Sequence, residues 1–152
     1  MKTISTKWMA GLILVTVFAL MVGYVPAFGA GEWYAEYFTN VDLSGAPALT
    51  RYESGLHFEW GGGSPGTGIP ADNFSARFTR DEWFEGGTYR FSYRSDDGIR
   101  LWVGDTLVID DWRDRSDTWS IIDRYIAPGT YRVRVEYYER GGTAALQVGW
   151  EK

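Results

Sequence analysis

The stretch Tyr89–Trp112, YRFSYRSDDGIRLWVGDTLVIDDW, decides how this chain reads. Tyr89, Phe91 and Tyr93 alternate with Arg90, Ser92 and Arg94, the two-residue period of a strand that buries one face. Ser95-Asp96-Asp97-Gly98 interrupts that period with polar turn residues. Ile99, Leu101 and Val103 resume it against Arg100 and Trp102, placing Trp102 on the outward, arginine-bearing side. Gly104-Asp105 suits a two-residue primed turn, whose twist matches that of the flanking strands. Leu107-Val108-Ile109 then runs out into Asp110-Asp111 and Trp112. The pattern predicts a three-stranded β-meander with acids, arginines and tryptophans gathered at its ends.

The same alternation extends in both directions. Strands are expected over Glu32–Phe38, Leu56–Trp60, Phe74 toward Phe84, Trp119–Ile126, Tyr131–Tyr138 and Leu146–Trp150. Residues 61–70, rich in glycine and proline, suit an exposed loop, and without a lysine or a helix start they are no phosphate cradle. Pro128-Gly129 and Gly141-Gly142 mark further turns, the second read as a hairpin. No sustained helical period occurs after residue 30. The expected fold is an all-β antiparallel sandwich or barrel in one domain over residues 32–152.

The first thirty residues differ in kind. Lys2 and Lys7 precede an uncharged apolar run from Met9 to Val25, then Pro26 and small residues. That is the layout of a secretory signal peptide over 1–29, with cleavage after Gly29 or Ala30. Its removal takes the formal net charge from −5 to −7, since residues 1–30 hold two lysines and no acid. So acidic a domain is a poor match for nucleic acid or an anionic membrane, and no membrane contact is expected beyond the signal peptide. There is no cysteine, which excludes thiol chemistry and disulfide staples. The implied location is secreted, either extracellular or at the cell surface.

With the segments in place, the chain resembles the PA-fourteen domain family, the β-sandwich named after anthrax protective antigen and also found in glycosidases and yeast flocculin-type adhesins. The matching residues run in order from Trp33-Tyr34-Ala35-Glu36-Tyr37-Phe38 and Asp42-Leu43-Ser44-Gly45, through the Trp60–Pro65 loop, to Phe74-Ser75-Ala76-Arg77-Phe78. They continue through Gly87–Phe91, Ser95–Leu101 and Asp111-Trp112 to Gly129–Tyr138. The resemblance implies a glycan-binding module. In the adhesin branch, two aspartates joined by a cis peptide coordinate calcium that contacts sugar hydroxyls, and Asp96 and Asp97 match that pair. An asparagine and backbone carbonyls from a later loop complete the adhesin site. The corresponding hairpin here, Glu139–Thr143, has no asparagine.

Two adjacent carboxylates suit a hard cation, although calcium takes six to eight oxygen ligands and needs more than these. The competing reading is a plain turn whose aspartates bond local amides. Trp112, at a strand end beside charges, offers an aromatic face to a pyranose ring, and Arg113 a donor for sugar oxygens. The expected carbohydrate-binding residues are therefore Asp96, Asp97, Trp112 and Arg113, with Asp96 and Asp97 as metal ligands. No catalytic motif is present: the single histidine, His57, sits in a short strand and reads as structural, and no zinc or nucleophile signature occurs. The expectation is a non-catalytic carbohydrate-binding module; the alternative is a structural or adhesive subunit that recognises protein or its own copies.

Overall fold

The computed structural model describes residues 31–152; the expected signal peptide and its cleavage position lie outside the described residues. Ten strands form. They are β1 (Trp33–Phe38), β2 (Leu49–Glu53), β3 (His57–Gly61), β4 (Phe74–Phe84), β5 (Gly87–Asp96), β6 (Ile99–Val103), β7 (Thr106–Asp111), β8 (Thr118–Ile126), β9 (Gly129–Glu139) and β10 (Ala144–Glu151). Two antiparallel sheets result, one ordered β2-β1-β4-β9-β6-β7 and the other β3-β10-β5-β8. This is the expected sandwich.

The alternation seen in the sequence decides which side chains face the other sheet. Tyr89 and Phe91 from β5, Leu101 and Val103 from β6, Val133, Val135 and Tyr137 from β9 and Leu146 from β10 are all buried in one core. The core is unusually aromatic. Phe58 stacks between Trp60 and Phe78 at 4.7 and 5.4 Å, and Trp60 meets Phe74 edge-on at 5.6 Å. Offset and edge contacts of this kind each add about 0.5–1.5 kcal/mol beyond area burial, which suits a domain without disulfides.

Which strands neighbour one another differs from the meander expected over Tyr89–Trp112. Only β6 and β7 form a hairpin there, closed by Gly104 at φ +57°, as the primed turn requires. β5 belongs to the opposite sheet, between β10 and β8, so Asp97-Gly98 carries the chain across the core. Gly141-Gly142 likewise closes no hairpin, because β9 and β10 lie in different sheets. The reason is geometric: a strand with one apolar face buries it equally well beside its successor or facing it across a sandwich. One strand, β2, is absent from the expected set; it is a half-exposed edge strand held by Arg51, which pairs with Glu53 at 2.5 Å and bonds the Pro65 carbonyl at 3.0 Å.

The crossings place the site. β1, β3, β5, β7 and β9 all end on one side of the sandwich, so residues 39–48, 62–73, 97–98, 112–117 and 140–143 cluster there.

Candidate functional site

Asp96 is the last residue of β5, and the Asp96–Asp97 peptide bond is cis. Asp97 is buried at 7% exposure, and its carboxylate is fixed by main-chain donors. The Arg115 amide donates to Oδ1 at 3.0 Å and the Arg140 amide donates to Oδ2 at 2.9 Å. Asp97 thereby ties the 112–117 loop to the β9–β10 crossing. Asp96 Oδ2 accepts from the Thr143 hydroxyl at 2.9 Å, and its main-chain carbonyl accepts from the Tyr137 hydroxyl. The turn itself is clamped to β9 by two bonds, Asp97 N–H to the Tyr138 carbonyl (3.3 Å) and Tyr138 N–H to the Gly98 carbonyl (3.0 Å). Gly98 is required there, since a Cβ would fall 2.2 Å from the Tyr138 ring.

The third carboxylate is Glu139, the final residue of β9, which is fully buried. Its Oε2 lies 3.3 Å from the Tyr137 hydroxyl, while Oε1 is buried without any hydrogen-bond partner. One carboxylate oxygen each from Asp96, Asp97 and Glu139 lie within 4.8 Å of one another. Two ligands of a single calcium ion, each about 2.3–2.6 Å from it, stand at most about 5 Å apart, so these three atoms fit one ion. No lysine or arginine side chain pairs with any of the three among the described residues. The charge is therefore uncompensated. Burial, followed by the neighbouring Asp97 and Asp96 charges, pushes the Glu139 pKa up to about 7. Burial likewise raises that of Asp96, with the Asp97 charge adding to it.

The plain-turn reading accounts neither for the bonds to Asp97, whose donors lie 18 and 43 residues away, nor for the buried Glu139. An oxygen-only set of carboxylates and nearby carbonyls is the chemistry of a hard cation, calcium before magnesium given its looser geometry. The residues present fit such an ion: Asp96, Asp97 and Glu139 would hold it, and it would supply the missing positive charge and open positions for ligand hydroxyls.

Trp112 and Arg113 stand differently from the carboxylates. Trp112 packs edge-on against Tyr138 at 4.7 Å between ring centres, with the Arg100 guanidinium 4.0 Å above it. It reaches the acidic turn only through Tyr138, whose ring covers Gly98. A surface pocket lies beside it, lined by Val41, Asp42, Trp112, Tyr138 and Arg140. Arg113 points away and pairs with Asp111 at 2.6 Å. The buried arginine of this loop is Arg115. It bonds Asp111, Ser95, the Thr118 carbonyl and Ser120 at 2.8–3.3 Å, holding the 112–117 loop in place. His57 is exposed on β3, 3.9 Å from Glu59 and on a strand whose pairing places it away from the acidic group.

Sequence reasoning missed Glu139 and Arg115. Glu139 carried a signal: it continues the inward alternation Tyr131, Val133, Val135, Tyr137, where a carboxylate has no reason to be unless something meets it. For Arg115 no signal distinguished it from Arg113.

This fold is that of a known family. The PA14 domain matches residues 30–152, and the chain belongs to that family. A curated relative, the anti-sigma-I factor RsgI3 of Acetivibrio thermocellus, is 35% identical over 117 residues, which are 76% of this chain. A solved structure described as an anti-sigma factor domain-containing protein is 32% identical with a TM-score of 0.71, over 79% of this chain. The chain spans 18% of the first relative's length and 42% of the second's. A PA14 sugar-binding domain from an RTX adhesin shares the fold, with a TM-score of 0.62 at 16% identity over 80% of this chain and 89% of its own.

Proposed function

We propose that this protein is an exported, non-catalytic carbohydrate-binding module whose ligand is held through calcium on Asp96, Asp97 and Glu139. The observation that carries this is the unpartnered, fully buried Oε1 of Glu139 within an acidic trio that has no cationic side chain. A bound divalent cation would neutralise the trio, and its remaining positions would take vicinal sugar hydroxyls. Trp112, with the pocket beside Asp42 and Arg140, would give one ring of the glycan an apolar face next to the ion. The sugar-binding description of the adhesin domain is in keeping with this reading.

Calorimetric titration of calcium into chelator-treated protein, then glycan-array binding with and without calcium, tests it. Calcium uptake together with a calcium-dependent glycan signal, both lost in Asp97→Ala, is the expected result. No uptake would end the cation reading. The 35% identity to a segment of an anti-sigma factor favours a second setting for the same site, in which the module serves a regulatory protein rather than acting alone. Co-purification of a sigma-factor-binding segment on the same polypeptide in the native host would select that setting.

A further inference from the structure

The outer face of the four-stranded sheet carries features that the acidic site does not use. β8 is an edge strand of that sheet, and it presents Trp119, Ile121 and Tyr125 outward at 52%, 63% and 71% exposure. Neither aromatic ring meets another ring or a guanidinium among the described residues, so internal packing does not explain them. The register sets Ile121 opposite Ser92, and Ser92 opposite Gly149. These are the smallest side chains of the face, and a Cβ on Gly149 would meet nothing closer than the Ser92 hydroxyl at 4.0 Å. A low floor thus runs beside an aromatic rim. Charged pairs are interleaved with the apolar side chains. Arg90 and Asp123 form a two-point pair at 3.0 Å between Ile121 and Tyr125, and Arg94, opposite Trp119, joins Asp117 and Glu59.

We propose that this face is a second glycan surface, independent of the cation, which takes an extended β-linked polysaccharide along β8. From Trp119 to Tyr125 the strand advances roughly 20 Å, enough for several sugar rings in a row. The apolar side chains offer flat surface to ring faces, and the interleaved charged pairs offer donors and acceptors to the equatorial hydroxyls at the edges. Large side chains expose roughly 150–250 Å² each when free, so the three partly exposed ones offer about 400 Å². That is half of the roughly 800 Å² per partner in a stable protein interface, and it fits a narrow chain better than a second folded surface. Asp117, Asp123, Glu59 and Glu151 on the same face also oppose an anionic membrane or nucleic acid.

The test is retention of the full chain in native gels cast with soluble xylan, glucomannan, mixed-linkage β-glucan or hydroxyethylcellulose, all in the presence of chelator. The wild type is expected to be retarded by at least one of them. Trp119→Ala and Tyr125→Ala are each expected to weaken that retardation at least tenfold. Both side chains are exposed, and thermal melts matching the wild type would confirm intact folding. Retardation by none of the four, or retardation unchanged in both variants, overturns the proposal. So does concentration-dependent association in light scattering that Trp119→Ala abolishes, because the face would then be covered by a second copy. Because every lane contains chelator, failure here leaves calcium-dependent binding untouched, and loss of calcium uptake leaves this result untouched.

Discussion

Replacing Glu139 by glutamine tests the acidic site most directly, because it removes the charge while keeping the shape. Burial and the adjacent aspartates raise the Glu139 pKa from 4.5 to about 7. An acid whose pKa is raised on folding holds its proton more tightly folded than unfolded. Below about pH 4.5 both states are protonated and stability does not change with pH on its account. Between about 4.5 and 7 the unfolded chain loses the proton first, so metal-free stability falls as pH rises, and above that the loss is constant. At about 1.4 kcal/mol per pH unit the interval amounts to roughly 3 kcal/mol. In chelator at pH 8, Glu139→Gln is therefore expected to be more stable than wild type by about 1–3 kcal/mol. For a domain of this size that raises Tm by roughly 5–15 °C. At pH 4.5 the two should nearly coincide. Calcium should reverse the order, since a ligand at about a thousand times its Kd stabilises the wild type by about 4.1 kcal/mol. Differential scanning calorimetry at both pH values, with chelator and with millimolar calcium, reads all four cases. A variant no more stable than wild type in chelator at pH 8, or one that gains as much from calcium, would refute the reasoning.

Asp97→Ala deprives the Arg115 and Arg140 amides of their acceptor, which should cost roughly 2–4 kcal/mol in denaturant unfolding and abolish calcium uptake. Gly98→Ala drives a methyl group into the Tyr138 ring, which is buried and held by Asp114 at 2.7 Å, so a loss of about 1–3 kcal/mol is expected in thermal melts. Trp112→Ala is expected to weaken glycan retention at least tenfold while leaving calcium affinity within about twofold. An equal fall in both on calorimetry would make Trp112 a support for Tyr138 rather than a ligand contact. In the same way, adding chelator to the wild type should lower Tm at pH 8 but hardly at pH 4.5, where Glu139 of the folded, metal-free chain keeps its proton and competes with the ion.

The amino-acid sequence by itself determined the strands other than β2 and which way their side chains face. Tyr89, Phe91, Val133 and Val135 could be assigned to the core, and Arg90, Arg94 and Trp102 to the outer faces, because a strand's alternation is local and the hydrophobic effect acts on it directly. The adjacent aspartates and their turn were legible for the same reason. Only the tertiary structure decided which strands pair. Alternation is the same whether β5 lies beside β6 or faces it, so the turn at Asp96-Asp97 read as a hairpin but crosses between sheets. That crossing brings the end of β9, 42 residues further along the chain from Asp97 to Glu139, against the acidic pair. A site assembled from residues so far apart depends on long-range register, which no local period contains. The same holds for Arg115 and Arg113, two residues apart in one charged loop, of which folding buries the first and leaves the second in solvent.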